Sequence, residues 1–152
     1  MKPILQALVL ADKVYEDRLT GKKVIAGTFN HLFFGQAPKA MKAEDGHVVQ
    51  RVETIQRSGN PTLYLNLTEV RGTVPLEIRY VSLRDNRVLF RVKFGVEGNN
   101  PLDSCEVVLP LPELPRPHEG RFAIELLYED ELIGSHRVTV TQIKSDTEGE
   151  ES

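Results

Sequence analysis

The sequence predicts an all-β domain, a single antiparallel β-sandwich of about eight strands. Three observations lead there. Apolar and polar residues alternate with period two: Leu63, Leu65 and Leu67 around Tyr64 and Asn66, Val74, Leu76, Ile78 and Tyr80 around Glu77 and Arg79, and Val88, Phe90, Val92 and Phe94 around Arg91 and Lys93. That pattern buries one face of a strand and wets the other. Turn chemistry recurs about every 8–12 residues, as at Asp85-Asn86 and Gly98-Asn99-Asn100-Pro101, a spacing that suits a sandwich or barrel and not β-α-β units. Finally, 152 residues make one domain with a sizeable core.

The elements follow in order. Residues 4–15 are rich in Leu, Val and Ala and read as a largely buried strand. Residues 16–22, with Asp17, Thr20 and Gly21, are a turn. Residues 23–34 then form the second arm of a long hairpin. Residues 35–60 are irregular and punctuated by Pro38, Gly46 and Gly59. Within them Val48, Val52 and Ile55 fall at helical spacing, so residues 47–57 fit a short helix or a strand equally. Alternating strands follow from Thr62, with breaks at 85–86 and 98–101. The proline-rich run 113–120 excludes a central strand. Phe122, Ile124 and Leu126 open the last hairpin, which turns near 129–131 and closes over 132–142. The β-domain spans 1–144. The tail, 145–152, has no apolar residue and is expected to be disordered.

Composition narrows the function classes. The chain has 19 basic and 22 acidic residues; four acids, Asp146, Glu148, Glu150 and Glu151, sit in the tail, and without them the net charge of −3 becomes +1. A neutral body lacks the field that steers nucleic-acid or anionic-membrane binding. Cys105 is alone, so no internal disulfide points to an oxidising compartment. Tryptophan is absent, which weakens a sugar-platform reading. The apolar start of the chain is too short for a secretory signal and is interrupted by Gln6. The expected location is cytoplasmic.

Two segments carry a family likeness. Residues 11–17 (Ala-Asp-Lys-Val-Tyr-Glu-Asp) and 20–30, with their Thr20-Gly21-Lys22 turn, resemble the opening hairpin of a family of small bacterial proteins of unknown function; Pro117-His118-Glu119-Gly120-Arg121-Phe122 is similar to its proline-glycine-aromatic entry into the last hairpin. The resemblance implies an immunoglobulin-like β-sandwich. It touches most of the chain outside residues 35–60 and the tail, and it carries over no functional residue. Glu119 departs from the expected pattern.

No motif for chemistry stands out. Gly21-Lys22 imitates a phosphate loop, but Glu16 stands where the first glycine belongs and Lys23 where Ser or Thr belongs. His31, His47, His118 and His136 lie more than five residues apart, which is not zinc-ligand spacing. Asp12, Glu16, Asp17, Asp45, Asp85, Asp103 and Asp130 are loop acids without an Asp-x-Asp pair; a calcium site at the loop end is an alternative to plain turn formation. Ser58 lacks a nucleophile elbow, and Cys105 fits a small core residue.

The expectation is therefore a non-enzymatic interaction or accessory domain, without cofactor or metal. It would bind a protein partner or a second copy of itself through a sheet edge or the 33–60 segment. Phe33 and Phe34 are adjacent and point to opposite faces of a strand, so one needs a cover outside the core. With Lys39 and Lys42 they form the candidate interaction surface. The alternative is a C2-like module that binds calcium or a small ligand.

Overall fold

The computed structural model describes residues 2–35, 41–42, 48–49 and 60–143. Eleven strands follow one another: β1 (Ile4–Glu16), β2 (Lys23–Thr28), β3 (His31–Phe34), β4 (Met41–Lys42), β5 (Val48–Val49), β6 (Thr62–Thr68), β7 (Gly72–Ser82), β8 (Arg87–Gly98), β9 (Cys105–Pro110), β10 (Gly120–Tyr128) and β11 (Glu131–Gln142). Nine of them make two sheets, ordered β2-β1-β6-β9 and β3-β11-β10-β7-β8, and β4 pairs with β5 alone. The all-β expectation holds, with more strands than the eight expected. Among the described residues no helix is long and apolar enough to cross a membrane.

The alternating residues named above close one core between the sheets. Leu63, Leu65 and Leu67 of β6 face Leu76, Ile78 and Tyr80 of β7 and Phe122, Ile124 and Leu126 of β10 in a single buried cluster. Tyr80 lies between Phe90 and Phe122, each ring centroid 5.4 Å away. Its hydroxyl donates to the Pro115 carbonyl at 3.0 Å, so a buried polar group is satisfied. Burial raises the Tyr80 phenol well above its ordinary pKa. Residues 111–119 carry no strand, yet they seat Leu111 and Leu114 in the core.

Two expectations need correction. The arm expected over 23–34 is broken at Phe29-Asn30: β2 stays with β1, while β3 moves to the other sheet. The Phe29 amide still donates to Leu10 at 3.2 Å, but the Asn30 carbonyl accepts from Thr139 of β11 at 2.9 Å. The break follows Gly27, whose φ of 74° carries the chain out of the regular ladder. Consequently the fold is not wholly antiparallel, because β3 runs parallel to β11 from His31↔Thr139 to Phe34↔Gln142. Most of the chain separates these strands, which is the long connection a parallel pair requires. A period-two pattern carries no information about strand direction. Of residues 47–57, Val48–Val49 pair as strand with Met41–Lys42; the rest, and the tail 145–152, lie outside the described residues.

Candidate functional site

The four-stranded sheet turns an unusual face to the outside. Its registers place Val9, Tyr64 and Val108 in one row across β1, β6 and β9, and Ala11, Thr62 and Pro110 in the next. Ala7, Asn66 and Glu106 lie on one side of these rows. Lys13 with Ala26, and then Tyr15 with Val24, lie on the other. A solvated sheet face is normally polar; around its margin this one exposes Ile4, Tyr15, Val24 and Val108, which are 51%, 52%, 50% and 37% exposed, while Tyr64 and Ala11 in its middle are buried. These are four of the seven exposed large hydrophobics among the described residues. Within those rows only Lys13 and Glu106 are charged, and they lie on opposite sides of the Val9-Tyr64-Val108 row. Tyr64, at the centre, donates its hydroxyl to the Glu106 carboxylate. Burial and that acidic neighbour both raise its pKa.

Sequence reasoning missed this face, although a signal was present. In β1, Leu8 and Leu10 point inward while Ala7, Val9 and Ala11 point outward, so both sides are apolar. The "largely buried" reading of residues 4–15 took that to mean cover on both faces.

The expected surface is placed differently. Phe34 packs against the core. Phe33 is half-buried, stacks on His31 with centroids 4.8 Å apart, and accepts a hydrogen bond from Arg116 at its carbonyl. Lys39 and the Lys42 side chain lie outside the described residues, as does His47. The remaining histidines are dispersed. His31 bonds the Thr141 hydroxyl at 2.7 Å, and His136 donates to the Phe29 carbonyl at 3.2 Å. His118 Nδ1 lies 2.7 Å from the Glu119 carbonyl and its Nε2 3.1 Å from Ser82 Oγ. That serine is wholly buried, so the Ser-His pair is a structural strut. Among the described residues no three of His, Cys, Asp or Glu converge on a metal position.

A second feature lies on the outer face of the five-stranded sheet. There β10 ends at Tyr128 and its pairing with β7 stops at Leu127↔Glu77, while the β7–β8 ladder continues to Gly72↔Gly98. Pro75 lies in this stretch of β7, where beyond Leu127 one side of the strand is free. The step leaves a cleft of about 240 Å³ lined by Pro75, Leu76, Glu77, Lys93, Phe94, Leu127, Glu129 and Asp130. Glu77 bonds Arg79 and, at 3.3 Å, Arg91; Arg79 also reaches Asp130 at 3.1 Å. The Arg79 hydrogen bond holds the Glu77 carboxyl below its ordinary pKa.

Residues 6–141 match a family of unknown function, DUF6941. The chain belongs to this family. No curated protein matches it. The expected likeness to a family of unknown function is thereby shown. The DUF6941 match spans Tyr15, Val24, Tyr64 and Val108 as well as the whole cleft, and leaves Ile4 outside. Membership in DUF6941 assigns no role to either feature, so their chemistry has to carry the reading.

Proposed function

We propose that this DUF6941 domain is a non-enzymatic interaction module, an immunoglobulin-like β-sandwich that pairs with a second copy of itself through the outer face of its four-stranded sheet. The observation that carries this reading is a face with exposed apolar side chains around its margin and, in its rows of described residues, one cation and one anion on opposite sides of Tyr64. Large exposed apolar patches mark association sites. A two-fold axis lying in the contact plane over β6 exchanges these two positions. It sets each Lys13 over the partner copy's Glu106, twice by symmetry. The face is thus complementary to itself in charge as well as polarity.

The sheet edges favour this route over edge pairing. β9 carries Pro110, β8 carries Arg87, Arg91, Lys93 and Glu97, and β2 is six residues long with Gly27 near its end. Proline, charge and short length all blunt an edge. The same reading takes the domain as cytoplasmic and bacterial, supported by its lone cysteine and by the family likeness.

Sedimentation velocity of the full chain over a concentration series tests it. Dimer is expected to appear by mass action. Lys13→Glu and Glu106→Lys should each shift the equilibrium toward monomer, and the double reversal should recover much of the loss. A monomer at every concentration, or a dimer indifferent to both reversals, would overturn the proposal.

A further inference from the structure

Among the described residues, every charge beside the cleft is engaged except two. Glu77, Arg79, Arg91 and Asp130 form one connected network. Lys93 and Glu129 take no part in it, and among the described residues neither makes a hydrogen bond or ion pair. For Lys93 this is notable, because it stands directly opposite Glu77 in the β7–β8 register. Cross-strand pairs of opposite charge normally form at such positions, but the Glu77 carboxylate is turned to two arginines instead.

The two free charges stand on opposite walls. Lys93 is on β8 and Glu129 follows β10, and β7 runs between those strands. Two strand spacings separate the walls, roughly 10 Å. Apolar residues lie between: Pro75 and Leu127 line the cleft, and Leu127 is only 5% exposed although it points away from the core. Glu129 and Asp130 form the two-residue turn with φ of 49° and 65°, a conformation for which Asn-Gly is preferred. The acidic pair is therefore kept at some conformational cost.

A cation and an anion facing each other across an apolar trough match a linear molecule of the reverse polarity. We infer that the cleft binds an ω-amino acid, with its carboxylate on Lys93, its ammonium on Glu129, and its methylene chain over Pro75 and Leu127. A trough of about 240 Å³ accommodates a chain of a few methylenes and is too small for most drug-sized ligands. This site is independent of the dimer face, which lies on the other sheet.

The test is a titration of the full chain with 6-aminohexanoate, followed by amide chemical shifts in ¹H–¹⁵N spectra. Saturable shifts confined to β7, β8 and the 128–131 turn are expected, in the millimolar range. Hexanoate and hexylamine, which each carry one charge, should bind at least about tenfold more weakly, as loss of a charge-assisted hydrogen bond implies. Lys93→Gln and Glu129→Gln, both at exposed positions, should each weaken 6-aminohexanoate to a similar degree. Absence of saturable shifts, or binding that survives both substitutions, would refute the assignment.

Discussion

Val108→Ser is the sharpest probe of the proposed dimer. Val108 projects from β9 beside Tyr64 and is 37% exposed, while its neighbours Val107 and Leu109 point the other way and pack on the core. Full burial of a valine stabilises by about 1.5–3 kcal/mol, so covering the exposed third contributes roughly 0.5–1 kcal/mol per copy. Both copies contribute in a symmetric dimer, for about 1–2 kcal/mol together. The serine should therefore weaken dimerisation about 5- to 30-fold. It should change monomer stability by no more than about 1 kcal/mol, the span of strand propensities. The dimer constant from sedimentation velocity and a thermal melt at low concentration separate the two effects. An unchanged dimer constant with an unchanged melt would mean that Val108 is not in the contact, and the face-to-face arrangement would fall.

Other consequences follow from the interior. A Cβ added at Gly98 would sit 2.4 Å from the Val70 carbonyl oxygen and 2.9 Å from Val70 Cβ; Gly98→Ala should cost about 1–3 kcal/mol and lower Tm by roughly 3–10 °C, and an unaffected melt would show that the β7–β8 ladder yields there. Because a carbonyl can only accept, His118 must donate from Nδ1 to Glu119; side-chain ¹⁵N shifts that report no proton on Nδ1 would contradict this. Glu77 has a depressed folded pKa relative to 4.5, so its stabilisation is present above that value and is lost as pH falls through the folded one. Glu77→Gln should accordingly lower stability at neutral pH and flatten its decline toward about pH 3, measured as Tm against pH; parallel profiles for the two proteins would remove Glu77 from the acid response.

The legible part of the fold was what period-two patterning encodes. β6, β7, β8 and β10 alternate because one side meets the core, and their inward residues are the ones that form it. Turn residues marked the breaks at Asp85-Asn86 and 98–101, and prolines correctly excluded a strand over 113–119. The switch of sheets at Phe29-Asn30 was hidden, since an edge strand that changes partners midway keeps the same side-chain alternation. Strand direction was hidden for the same reason, so the parallel β3–β11 pair could not be foreseen.

The two candidate sites were illegible for different reasons, and this bears on how each should be weighed. The apolar face is a property of register: Val9, Tyr64 and Val108 lie about a hundred residues apart along the chain at the extremes and become neighbours only when β1, β6 and β9 align. Its one local trace, apolarity on both sides of β1, is equally what a doubly covered strand would display. The cleft is a property of length mismatch. It exists because β10 stops at Tyr128 while β7 and β8 run on, and among the described residues Lys93 is free because Arg79 and Arg91 take the carboxylate it faces. Glu77 and Arg79, two residues apart on one face of β7, satisfy each other, and among the described residues Lys93 is left without a partner. A sequence scan would pair Glu77 with Lys93 and see nothing left over; the choice among three nearby cations is made by geometry. That choice turns an ordinary charged sheet face into one with an unspent cation and an unspent anion on either side of β7.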